Sequence, residues 1–198
     1  MGIWMATSAA TDTVIEGCTI SDYRLGAIFA GGAGADAAGR VRIINNIFSG
    51  NHRQNKDTGG GQVAFGGIGG HIVMGNTFIV GGGSDSLLTS GIEANAGATI
   101  VGNSFHGSRI HMDGIVLQLG SGYSVFSNQV TGFRGTGLLI NSGVTNITII
   151  GNDLNGNAVP MADGSTTSEK QVFSNLPVST NDKNQRNKWW RIRQGGRR

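Results

Sequence analysis

The chain has 198 residues, 35 of them glycine and only 2 proline, with 14% charged and 38% hydrophobic side chains. That length supports one domain with a sizeable core, and glycine without abundant proline or a three-residue period excludes a collagen. The formal net charge of +3 belongs to the C-terminus: residues 183–198 hold seven Lys or Arg and no acid, which leaves eight basic against twelve acidic side chains in the rest.

Residues 1–182 are therefore read as one folded domain and 183–198 as a basic, disordered tail. Trp189 and Trp190 lie among the tail's cations, a composition that can bind nucleic acid or an anionic membrane. The body has no basic face to extend such a site, so nucleic acid is not expected as a partner. No run of about 18 apolar residues occurs, so no membrane span is predicted. The opening MGIWMATSAA lacks the basic start and apolar run of a signal peptide. Cys18 is the only cysteine, so neither an internal disulfide nor a cysteine metal cluster is expected. Asn146-Ile147-Thr148 has the form of a glycosylation acceptor.

Two short patterns alternate along the chain. GIWM (2–5) is followed by the heptad ending at Ile20 (14–20), then GAIF (26–29) and RIINNIF (42–48). QVAF (62–65) and IVMGNTF (72–78) come next, then GIEA (91–94) and TIVGNSF (99–105). GIVL (114–117), SVFSNQV (124–130), GLLI (137–140), TIIGNDL (148–154) and QVFSNLP (171–177) complete the series. The fifth heptad residue forms a column of Cys18, Asn46, Asn76, Asn103, Asn128, Asn152 and Asn175, spaced by 28, 30, 27, 25, 24 and 23 residues. Three residues earlier the chain is always β-branched, from Ile15 to Val172; two later it is apolar until Pro177. Each piece alternates like a strand, and a period of two to three dozen residues marks a solenoid.

A coil of that length holds three short strands with turns at about 3.3 Å per residue. One coil cannot bury its inner face alone, so coils stack and equivalent strands pair. The Asn column is expected at a tight bend, where Asn tolerates a left-handed backbone and its amide can bond its neighbour in the stack. The Gly, Asn or Ser before it keeps the corner small. Ankyrin and TPR arrays need a helical period, which no segment before residue 160 shows.

This rhythm resembles the right-handed parallel β-helix of the pectate-lyase-like superfamily, over about residues 2–177. That superfamily includes pectate lyases, polygalacturonases of the family 28 glycoside hydrolase type, alginate epimerases and phage tailspikes. The resemblance implies an all-β solenoid of six to seven coils with three strands per coil. The Asn ladder would lie between the second and third sheets, and sites would lie on the outer face of the first. Because Met1 runs straight into a first-sheet strand, the chain is expected to be part of a longer protein. An extracellular or virion-associated location is expected.

Loops between the third and first sheets carry Arg24, Arg53, Arg109 and Arg134, Asp22, Asp57, Asp85 and Asp113, and His52, His106 and His111. Loops on a rigid scaffold are where sites are commonly built. The outward file of the first sheet is read as Trp4, Ile28, Ala64, Glu93, Val116 and Leu139, with Asn95, Gln118 and Asn141 beyond it. Such an apolar stripe fits an interface with a second copy, in a homotrimer; alternatively, Trp4 offers a stacking face to a sugar ring.

His111-Met112-Asp113-Gly114-Ile115 resembles the Asn-Thr-Asp-Gly-Ile piece of polygalacturonases, which puts Asp113 in place of a catalytic acid. The family's Asp-Asp pair, Gly-His-Gly and Arg-Ile-Lys are missing from their places, as is the Asp-Pro-His-Asp of alginate epimerases. A pectate-lyase arrangement would draw on Asp85 and Asp113 for calcium, with Arg109 or Arg134 as base. The candidate catalytic residues are thus Glu93, Asp113, His111 and Arg109. Those for substrate binding are Trp4, Asp85, His106, Gln118, Arg134 and Asn141. No resident metal is assigned; Ca2+ is the ion considered. The expected function is polysaccharide binding with lyase or hydrolase cleavage; the alternative is the non-enzymatic shaft of a tailspike or adhesin.

Overall fold

The computed structural model describes residues 2–5, 11–23, 26–31, 39–51, 60–80, 89–108 and 112–176. The basic tail lies outside the described residues. Among them there are seventeen strands and no helix, hence no helix to cross a membrane. Every pairing between strands is parallel, and each strand meets its equivalent in the next coil.

The first face carries β1 (Ile3–Met5), β4 (Ile28–Ala30), β7 (Gly60–Phe65), β10 (Thr89–Ala94) and β16 (Val159–Asp163). The second carries β2 (Val14–Glu16), β5 (Arg42–Ile44), β8 (His71–Met74), β11 (Ala98–Val101) and β17 (Lys170–Phe173). Two long strands, β13 (Ile115–Phe126) and β15 (Thr136–Ile150), run through the corner and serve both faces, which joins them into one continuous sheet. The third face is a five-stranded sheet of β3 (Thr19–Ser21), β6 (Ile47–Ser49), β9 (Thr77–Val80), β12 (Ser104–Gly107) and β14 (Gln129–Thr131). About five turns thus close all three faces. The next two continue on the first and second faces, with the third reduced to bridges at Asp153 and Leu176.

The interior is a set of files, one residue per coil. The second face contributes Ile15, Ile43, Val73, Ile100, Val125 and Ile149, all buried. The third contributes Ile20, Phe48, Phe78, Phe105 and Val130. Phe48, Phe78 and Phe105 stack with ring centroids 4.8 and 4.5 Å apart, and burying each such ring stabilises the fold by about 1.5–3 kcal/mol.

The expected Asn ladder is present and each member is satisfied. The Asn103 carbonyl oxygen accepts from the Asn76 backbone N–H and side-chain amide, both at 2.9 Å. The Asn103 amide donates to Asn128 Oδ1 and to the Val73 carbonyl, again at 2.9 Å. The same arrangement repeats from Asn46 to Asn175, and Cys18 begins the file through its backbone N–H alone. A buried amide is tolerated because donors and acceptors are both used.

The left-handed residue at this bend is the one before the Asn, which corrects the expectation that the Asn itself adopts that conformation. Gly17, Asn45, Gly75, Gly102, Ser127, Gly151 and Ser174 all have φ between 51° and 68°. The positive φ turns the corner, and the Asn that follows is free to point inward.

A second correction concerns the first sheet. Ile28 pairs with Ile3 and Val63 and is buried; Phe29 stands in the outward file between Trp4 and Ala64. The strand in GAIFA starts one residue later than the Gly-led pattern suggests, and a one-residue slip exchanges the faces of every side chain.

Where four other coils put Gly2, Gly91, Gly114 and Gly137 at the start of the first-face strand, the third coil puts Gln62, fully buried. Its amide donates to the Ile79 carbonyl at 3.1 Å, and its side-chain oxygen accepts from Asn51 at 3.2 Å. A Cβ at Gly114, by contrast, would meet Val130 Cγ1 at 2.2 Å.

Candidate functional site

Register fixes the outer surface of the first face. Trp4, Phe29, Ala64, Glu93, Val116, Leu139 and Ala162 form one file, a rung apart. At one end Trp4 is 64% exposed and meets Phe29 edge to face at 5.5 Å. In the middle Glu93 is half-buried, and its carboxylate accepts from the Gln118 amide at 3.1 Å. Gln118 in turn accepts from the Asn141 amide on the next coil. Three of the residues singled out from the sequence are therefore joined in one hydrogen-bonded chain across three coils.

The other described candidates lie elsewhere. Asp113 is 9% exposed, and its Oδ1 accepts from the Thr136 backbone N–H at 2.6 Å, so the carboxylate caps the start of the next coil's strand. Because Glu93 pairs with Val116, Asp113 sits three residues back along the neighbouring coil, roughly 11 Å away at Cα. Glu93 bonds to Gln118 in one direction and Asp113 to Thr136 in another, so the two carboxylates have separate partners. Arg134 is exposed beside the same corner, its guanidinium 3.2 Å from Met112 Sδ.

His106 is exposed at the outer side of β12, paired with Ile79 and Thr131, and belongs to the third face. Asp85, Arg109 and His111 lie outside the described residues, as do Arg24, His52, Arg53 and Asp57. Among the described residues no group of three His, Cys, Asp or Glu could hold a metal ion.

Two polar residues that sequence reasoning passed over are buried. His71 is 1% exposed and stacks on Phe65 at 4.8 Å. Its Nε2 is 3.0 Å from the Gly66 carbonyl, while Nδ1 has no partner. Burial holds its pKa below the ordinary histidine value, and the Gly66 contact opposes this only in part. Tyr123 is buried, its hydroxyl donating to the Ala94 carbonyl at 3.1 Å, and burial pushes its pKa up. His71 stands just before a heptad and Tyr123 lies within a strand run, so nothing in the pattern sets either apart. Phe29 was missed because connections to the first sheet differ in length from coil to coil, which leaves its register uncounted.

Parallel strands, three faces per coil and a file of buried asparagines define a β-solenoid. A family model for the right-handed beta helix region matches residues 1–154, and the chain belongs to that family. No curated protein and no solved structure matches the chain.

Proposed function

We propose that this right-handed β-helix domain binds a polysaccharide along the outer face of its first sheet, outside the cell or on a virion. The observation that carries the proposal is the Glu93–Gln118–Asn141 chain on the same face as the Trp4–Phe29 pair. A carboxylate and two amides present both acceptors and donors to ring hydroxyls, and an exposed indole offers an apolar face for a ring to stack on. Rungs about 4.8 Å apart place such groups at nearly the step of one sugar unit. Binding, rather than cleavage, is the favoured activity, because Glu93 and Asp113 are engaged with different partners.

The test is calorimetric titration of the full chain with a panel of acidic and neutral polysaccharides, with released reducing ends and unsaturated uronates measured in the same samples. Binding should be seen with at least one polymer and fall at least tenfold in Trp4→Ala and in Gln118→Leu. No binding across the panel, or binding unaffected by both variants, would defeat the proposal. Polymer cleavage lost on replacing Glu93 and Asp113 by Ala would replace it with the enzymatic reading.

A further inference from the structure

The second face carries an outward file that continues unbroken through the solenoid: Glu16, Ile44, Met74, Val101, Phe126, Ile150 and Phe173. After Glu16 every member is apolar. Met74 and Phe173 are 41% and 45% exposed, and those between are half-buried. The neighbouring outward file reads Val14, Arg42, Ile72, Thr99, Ser124, Thr148 and Gln171. The third to sixth coils therefore show no charge in either file, while Glu16 and Arg42 stand at one end. A charge-free centre with polar ends is the composition of a protein–protein contact. Beyond Glu16 this file also lacks the amide and carboxylate groups that a sugar would need.

We propose that this face pairs with the same face of a second copy, the two solenoids running in opposite directions. The sizes along the file carry the choice of partner and direction. Ile44, Met74, Val101, Phe126 and Ile150 read nearly the same from either end, with the smallest side chain in the middle. A two-fold axis along the fourth-coil strand would set Val101 against its own copy, Met74 against the partner's Phe126 and Ile44 against the partner's Ile150. It would set Arg42 against the partner's Thr148 and Glu16 against the partner's Phe173. Running the copies in the same direction would instead bring Glu16 onto Glu16, like charges facing each other. A C2 contact requires this kind of self-complementarity, and flat sheets pack face to face at about 10 Å.

Seven rungs span about 29 Å, and a strip about 10 Å wide covers only a few hundred Å2 per copy. That area belongs to small, concentration-dependent interfaces. Sedimentation of the full chain from roughly 10 μM to 1 mM should therefore show a monomer giving way to a dimer, and Phe126→Asp should hold it monomeric. Direction is read by a short bismaleimide in a Cys18→Ser background. Val101→Cys should cross-link to a dimer, Ile44→Cys alone should not, and Ile44→Cys combined with Ile150→Cys should. A monomer at every concentration, a trimer, or Ile44→Cys cross-linking as readily as Val101→Cys would overturn the proposal.

Discussion

Replacing Asn103 with alanine removes the central member of the buried file and strips partners from groups on both neighbouring coils. The Asn76 backbone N–H loses the Oδ1 that accepts it at 2.9 Å, while the Asn76 side-chain amide, which shares that acceptor, keeps the Ile43 carbonyl at 2.8 Å. The Val73 carbonyl loses its 2.9 Å donor, and Asn128 Oδ1 keeps only the Asn103 backbone N–H. Asn103 is 1% exposed, so water cannot take over without opening the coil. Each stranded buried group costs about 1–3 kcal/mol, and the alanine also leaves a small void. With the Asn76 backbone N–H and the Val73 carbonyl losing these partners, and some relaxation, the loss should be about 2–4 kcal/mol. The Asn175 end is half-buried, and among the described residues no further asparagine continues the file, so Asn175→Ala should cost only about 1–2 kcal/mol. Urea unfolding followed by circular dichroism reads both, compared by midpoint at constant slope. A loss below about 1 kcal/mol for Asn103→Ala, or equal losses at the two positions, would refute the cooperative account of the file.

At the left-handed column, Ser127→Gly should stabilise by up to about 1 kcal/mol, since Ser127 has φ 51°. Gly102→Ala should cost about 1–2 kcal/mol from backbone strain alone, because a Cβ there meets nothing within 4 Å; thermal or urea midpoints check both. Gly114→Ala should cost about 1–3 kcal/mol through the Val130 clash, and a neutral result would show that the third face can yield. His71 gives a pH dependence whose sign follows from its lowered folded pKa. Below the unfolded value of about 6.5 the unfolded chain takes up the proton more readily, so that stability, complete above this pH, is lost as pH falls toward the folded pKa. Urea midpoints between about pH 5 and 8 should decline on the acid side in the native protein, with a smaller decline in His71→Gln.

The second and third faces were legible because their connection does not vary. Ile100, Asn103 and Phe105 keep the same offsets as Ile43, Asn46 and Phe48, since a corner turned by one left-handed residue has no room for insertion. The first face was less so. Its strands follow loops of unequal length, and the apolar run Ala27-Ile28-Phe29-Ala30 fits either register by composition; only pairing with Ile3 and Val63 decides it. The site shows the same division. Glu93, Gln118 and Asn141 come together because pairing aligns their coils, which the repeat implies. Asp113 looks the same in sequence whether its carboxylate faces solvent or caps Thr136, and a hydrogen bond to a backbone N–H on the next coil leaves no pattern in the chain.

Side-chain amide hydrogen exchange, followed by NMR on uniformly labelled protein, tests the stacking of coils most directly. If the turns pile up as described, the amides of Asn76, Asn103 and Asn128 should be protected far longer than those of Gln118 and Asn141 on the outer wall. Exchange of the three at the rate of those exposed amides would contradict it.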